Sequence, residues 1–540
     1  MGDARWADAP PEVLASWGTR RPDRPPLAVH AGRSYVDDHL NTTTDGRASV
    51  TRPLRPRLAA TAAAVGLAAA AALTGAATAS AAAGPDTTYL VLAPQGSSTA
   101  KAQKRVADAG GQVVATYDEI GVLVARSTNT AFGDDVKGAG VEAAASTAGL
   151  GSKLDEGTTT ALDVAAATGD PTGEQYWSYQ WDMRQIDVPE AHAVTTGDPS
   201  VVVGVLDSGI SSTHPDLASQ IRTDLSASCL EGVVDTDEAA WNPTTSDHGT
   251  PVAGTIAAAI NDVGIAGVAP GVKVAAVKVV NDDGYIYPEA AVCGFMWAAT
   301  HGFDVTNNSY YIDPWEFNCR NDARQRPVWQ AVQRAIRYSD SEGVLNIASA
   351  GNSNVDLQHK FTDSGSPNDG SYPVEDRTIT GACLDLPAEA PGVVTVSATG
   401  PTSEKAYYSS YGQGVVDVTA PGGDARFRTD GASVIVEDAI LSATWNPISG
   451  DGWGWKQGTS MAGPHAAGVA ALALSAHPRL SPGALASMLE RTATRLDCPD
   501  GVYNPVPDVP SGNDYSATCI GGARNGFYGA GEVNAYNVVR

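Results

Sequence analysis

Three residues of the 540-residue chain are of types that together make a serine hydroxyl a nucleophile. Asp207 follows directly on the apolar run Val201-Val-Val-Gly-Val-Leu, where a strand would end. His248 lies in Asp247-His-Gly-Thr-Pro-Val-Ala-Gly, ahead of small residues that let a helix pack closely. Ser460 lies in Gly458-Thr-Ser-Met-Ala-Gly-Pro-His, a Gly-bearing turn leading into a long Ala-rich helix. A hydroxyl needs a base to take its proton, and an imidazole base needs a buried carboxylate to hold its tautomer. A serine at a helix N-terminus also has free N–H groups and the positive end of the dipole beside it, which favour an oxyanion. Pro464 is compatible with the first turn of that helix. Singly, each residue has a plainer reading. An Asp after a strand commonly closes a turn, and His214, His301 and His465 are read first as structural.

The elements that must position these groups follow from the pattern. Val201–Leu206, Val274–Val280, Val344–Ala350 and Val393–Ala398 are short and β-branched, as buried parallel strands are. Helical stretches over 289–301 and 328–339 lie between them. The alternation predicts an α/β fold, a mostly parallel sheet with helices on both faces. Chemistry in such sheets collects at the carboxyl ends of the strands.

Composition narrows the partners. With 43% hydrophobic and 18% charged residues the chain is globular, and its net charge of −26 argues against nucleic acid. Six cysteines, all after residue 228, read as three disulfides formed in an oxidising compartment. Cys498–Cys519 is the expected close pair, with Cys229–Cys293 and Cys319–Cys383 as the remainder. Arg52, Arg55 and Arg57 precede an apolar stretch over 58–73 and several A-x-A sites, so residues 50–83 read as a secretory signal. Residues 1–49 read as a disordered extension, or as upstream of a true start at Val50; the second reading is preferred. A small α+β unit is expected over 87–127, with a soft, protease-sensitive linker from 143 to 174.

Asp207-Ser-Gly-Ile with His214-Pro-Asp-Leu, the His248 block and the Ser460 block resemble the three signature blocks of the subtilisin-like serine peptidases (subtilases, S8). Gly264-Ile-Ala-Gly-Val-Ala-Pro, Pro391-Gly-Val-Val-Thr-Val-Ser-Ala and Val416-Asp-Val-Thr-Ala-Pro-Gly-Gly are weaker matches. The order Asp, His, Ser is that of the family. The resemblance covers residues 175–540, read as a catalytic domain of subtilisin-like fold. It implies a catalytic triad of Asp207, His248 and Ser460. It puts Asn352, in Ser349-Ala-Gly-Asn, in the oxyanion hole, and Ser309, Tyr310 and Gly351 in substrate binding. Residues 84–174 then become a propeptide and linker, cleaved by the enzyme itself, the propeptide serving as an intramolecular inhibitor.

The departures bear on specificity. Where the family usually carries Ser-Leu-Gly, this chain has Ser309-Tyr310-Tyr311, followed by a Cys-containing insertion over 313–326. The non-primed subsites are therefore expected to be reshaped, and no broad hydrophobic preference is carried over. The Asn307-Asn-Ser sequon is expected to be buried. The loop Asn261-Asp-Val-Gly-Ile-Ala-Gly is shorter than the family's calcium loop. Calcium is compatible with it, but no metal ligand and no cofactor are assigned. The expected protein is a secreted, monomeric endopeptidase acting on proteins or peptides, without a membrane anchor once the signal is removed. The alternative is a catalytically idle binding protein on the same fold. An esterase is disfavoured, because no G-x-S-x-G elbow surrounds Ser460.

Overall fold

The computed structural model describes residues 84–148, 152–153, 159–162, 173–312, 315–364, 366, 376–425, 435–506 and 514–540. The expected extension, the export signal and much of the linker lie outside the described residues.

The chain first builds the small α+β unit. Strands β1 (Thr87–Leu92), β2 (Gly111–Tyr117), β3 (Val122–Ser127) and β4 (Ala143–Ser146) form one sheet in the order β2-β3-β1-β4. Helix α1 (Ala100–Asp108) crosses one face. The period-2 alternation decides the two faces. Tyr89, Val91, Leu123 and Ala125 meet Ala102 and Val106 of the helix, while Leu90, Leu92, Val122 and Val124 face the rest of the protein. The unit extends past 127 and takes in Ala143–Ser146, which reads from sequence as linker. A run of Ala-Ala-Ala-Ser has no apolar alternation to mark it, but backbone pairing with β1 recruits it as an edge strand.

The main sheet contains β5 (Val202–Asp207), β6 (Ala227–Ser228), β7 (Lys273–Lys278), β8 (Val305–Asn308), β9 (Leu345–Ser349), β10 (Val393–Thr399) and β11 (Val418–Pro421). All neighbours are parallel, in the order β11-β10-β9-β8-β5-β7-β6. Its helices are α2 (Gly249–Ala257), α3 (Pro288–Thr300), α4 (Gln325–Ser341), α5 (Thr459–Ala476) and α6 (Pro482–Thr492). Val203 and Val205 bury against residues of α2, α5 and α6. Val202 and Leu206 bury against α3, α4 and the small unit. Both faces are thus covered, as a parallel sheet of apolar strands requires. A hairpin of β12 (Ile440–Asn446) and β13 (Gly450–Lys456) leads into α5.

From β5 the chain fills the β7 side, then crosses back to place β8 on the other side of β5. The sheet order therefore reverses between β5 and β8, which opens a crevice beyond their carboxyl ends. Three disulfides join Cys229–Cys293, Cys319–Cys383 and Cys498–Cys519, the pairs expected from sequence. No helix among the described residues is long and apolar enough to cross a membrane.

Candidate active site

Asp207 is the last residue of β5, and Ser309 follows the last residue of β8. Leu206 is in register with Asn308, so Asp207 and Ser309 stand level across the crevice. Strands pair at about 4.8 Å, which sets the scale of the site. Helix α2 starts beside Asp207, because Gly249 has no side chain. A Cβ there would stand 2.3 Å from the Gly209 carbonyl oxygen and 3.1 Å from the Asp207 Cβ. The Gly249 N–H donates to Ser208 Oγ, which pins the helix start to the strand end.

This start delivers the imidazole of His248. Its Nδ1 lies 3.0 Å from each Asp207 carboxylate oxygen, and both side chains are buried. Asp207 Oδ1 also accepts from the Ser208 N–H at 2.7 Å. The carboxylate therefore holds Nδ1 as the protonated nitrogen. Nε2 is left as the acceptor; it is buried and has no hydrogen-bond partner among the described residues.

Ser460 is the second residue of α5 and is 5% exposed. Its Oγ donates to the Ser309 carbonyl at 3.4 Å, a long contact. Its own carbonyl accepts from Ser309 Oγ at 3.0 Å. Pro464 explains the second bond. It lies inside α5 rather than in the first turn expected from sequence, so it has no N–H for the carbonyl four residues back, that of Ser460. Ser309 supplies the missing donor.

Asn352 lies just past the end of β9. Its Oδ1 accepts from both the N–H and the Oγ1–H of Thr459, each at 2.9 Å. That fixes the amide with Nδ2 as the donor end. A Cβ on Gly458 would stand 3.4 Å from Asn352 Nδ2 and 3.6 Å from the Ser460 backbone nitrogen. Two donors thus border one small space beside the hydroxyl. Thr459, which holds the amide, was not singled out from sequence. It stands inside the Gly-Thr-Ser block, and its place directly before the serine is the one sequence signal it carries.

Tyr310 is 5% exposed, and its hydroxyl donates to Asn308 Oδ1. The ring packs in the core on the α3 and α4 side rather than standing in solvent. Burial first, and then the nearby Asp207 charge, push its hydroxyl well above the usual phenol range, so it stays a neutral donor. Asn307 is fully buried on β8, where no glycan could be attached to the folded chain. His214 bonds the Gly452 carbonyl and the Asp216 N–H, and His465 bonds the Met461 carbonyl and the Asp182 carboxylate. His301 meets the Trp297 carbonyl. All three histidines hold structure together. In the shortened loop, Glu174 Oε1 accepts from the Asn261 and Asp262 N–H groups, and Asp216 Oδ2 accepts from the Trp453 indole and the Ile265 N–H. These oxygens are engaged by N–H donors, and no three acidic, His or Cys groups among the described residues converge as a metal would need.

The family model of the subtilase family matches residues 198–518. Fervidolysin of Fervidobacterium pennivorans is 30% identical over 334 residues, 59% of this chain and 41% of that protein. Subtilisin DY of Bacillus licheniformis is 33% identical over 297 residues, 55% of this chain and 85% of that protein. Among solved structures, the epidermin leader peptide processing serine protease of Staphylococcus aureus aligns with a TM-score of 0.60 at 19% identity, over 84% of this chain and 98% of that one. The fervidolysin crystal structure aligns with a TM-score of 0.58 at 22% identity, over 84% of this chain and 61% of that one. These two likenesses show the fold. The chain belongs to the subtilase family, a family of serine-type endopeptidases.

Proposed function

We propose that this chain is a secreted serine endopeptidase that cuts peptide bonds through an acyl-enzyme and is made as a self-processed zymogen. The Asp207–His248 pair carries this reading, with its buried Nε2 unpartnered among the described residues and Ser460 bonded to Ser309 at the end of the strand next to Asp207. Ser460 attacks the substrate carbonyl while His248 takes its proton and later returns it to the leaving amine. Asp207 orients the imidazole and stabilises its charged form. Asn352 Nδ2 and the Ser460 N–H receive the oxyanion. Water then releases the acyl group, and no cofactor enters any step. The Ser460 to His248 bond is not made in this state, as is common before substrate binds.

The small unit supports the zymogen reading. Its free sheet face rests on α3 and α4, and Arg334 of α4 donates to the carbonyls of Ala93 and Ile120 and to the Glu142 carboxylate. Beyond it, Ser152–Lys153 pairs antiparallel with Tyr285–Ile286, and Thr160–Ala161 with β13. Chain entering and leaving the catalytic domain as added strands binds as an extended peptide would. The disulfides fit an oxidising destination and so support secretion.

The test is a fluorophosphonate probe and a denatured protein substrate, applied to the processed protein beside a Ser460→Ala control. Labelling and cleavage should both vanish in the control. A folded, processed protein that neither labels nor cleaves would leave the idle binding protein instead.

A further inference from the structure

A buried acid lies behind the oxyanion segment, and acyl transfer gives it no task. Asp385 is 3% exposed and immediately precedes Leu386. Its Oδ1 is buried without a hydrogen-bond partner among the described residues. A Cβ placed on Gly351 would stand 3.8 Å from its Oδ2 and 3.4 Å from Ser410 Oγ. Gly351 has a φ of +95°, a conformation that favours glycine, and it directly precedes Asn352. Residue 351 therefore puts no side chain between the Asp385 carboxylate and the place where the acyl carbonyl is held.

Among the described residues, Lys360 is the one cation that acts on Asp385. Both oxygens of Glu389 are bound by Lys360 Nζ, which also lies over the Phe317 ring at 5.1 Å. Glu389 accepts the Asp385 backbone N–H as well. Glu316 bonds Ser353, the residue after Asn352. Three carboxylates, Asp385, Glu389 and Glu316, thus share Lys360 among the charges that act on Asp385. Burial and the two neighbouring acids push the Asp385 carboxyl well above its usual range, and burial pushes Glu316 up to about 7. A buried carboxylate with one oxygen unbonded is costly, and a cation arriving beside it would relieve that cost. A metal is the poorer candidate, since no three ligating groups converge among the described residues. An elongated cation suits the geometry better. The residue whose carbonyl would be received by Asn352 bears its side chain on the Cα one bond from that carbonyl, so this side chain would start beside the segment that contains Gly351 and Asn352.

We infer that Asp385 sets the specificity of this site for lysine or arginine on the acyl side of the cleaved bond, its carboxylate meeting the ammonium or guanidinium across Gly351. The inference rests on the peptidase reading above and adds the substrate class to it.

The test uses the processed enzyme, with active sites counted by the fluorophosphonate probe, on succinyl-Ala-Ala-Pro-X-p-nitroanilides where X is Lys, Arg, Phe or Leu. The Lys and Arg substrates should show the higher kcat/KM. Asp385→Asn should lower those two by on the order of a hundredfold, as loss of a buried charge partner does, and change Phe and Leu little. A probe-labelled enzyme that prefers Phe or Leu overturns the inference and leaves the peptidase reading standing. A fully labelled Asp385→Asn enzyme in which all four substrates fall alike does the same. An unaltered enzyme that does not label overturns both. The ranking by the unaltered enzyme decides even where the variant fails to fold.

Discussion

Ser309 and Ser460 hold one another by two hydrogen bonds, each side chain donating to the other's backbone carbonyl, at 3.0 and 3.4 Å. The stronger of the two exists because Pro464 cannot close the helix onto the Ser460 carbonyl. The nucleophile's helix is thereby tied to the end of the strand next to Asp207.

Ser309→Ala should leave that buried carbonyl unpaired. We expect a loss of about 1–3 kcal/mol in stability and a fall in kcat of roughly tenfold. Pro464→Ala in the same background supplies an N–H within the helix and should recover part of the loss. Urea midpoints of the four proteins form the cycle, and strictly additive effects would show that the two positions do not share the carbonyl.

Asn352→Ala removes one oxyanion donor. It should lower kcat by ~10²–10³ and change KM far less. Thr459→Val keeps the backbone donor to Asn352 and removes the hydroxyl donor, so a loss of several-fold is expected. Equal losses in the two variants would argue that Thr459 does more than hold the amide.

Ser460→Ala should accumulate with the small unit still covalently attached when made in a protease-free host. Intact mass reads the outcome, and normal trimming of this variant would rule out self-cleavage. Arg334→Ala, which removes three bonds to the small unit, should shorten the lag before activity appears in the otherwise active chain.

Glu289 is the second residue of helix α3, is buried against the small unit, and its carboxyl is pushed up to about 7, chiefly by burial. An unfolded chain would ionise it near 4.3. Its neutral form therefore favours the folded precursor most fully below about pH 4, and this contribution fades as pH rises through 7. In the Ser460→Ala precursor, urea midpoints between pH 5 and 8 should fall more steeply with Glu289 present than in Glu289→Gln. The expected difference is on the order of 2 kcal/mol. Parallel pH profiles would show that Glu289 ionises freely in the precursor.

What the amino-acid sequence determined by itself is whatever short-range pattern can specify. Asp207 after an apolar β-branched run, His248 before small residues and Ser460 after Gly458 each state their backbone position in a few neighbours, because strand ends and helix starts are local events. The α/β alternation was legible for the same reason, and Cys498–Cys519 through its short separation, whereas Cys229–Cys293 and Cys319–Cys383, each 64 residues apart, were only the remainder that pair left. Tertiary structure decided what depends on residues brought together from far apart. Ala143–Ser146 became a strand only because β1 offered an open edge. Tyr310 turned into the core because distant residues of α3 and α4 close over it, its hydroxyl donating to Asn308 Oδ1. Ser309 came to complete the helix that Pro464 interrupts. Asp385 came to face Gly351 and so the acyl position, a juxtaposition no local pattern encodes, since packing places one chain segment behind another without leaving a signature in either.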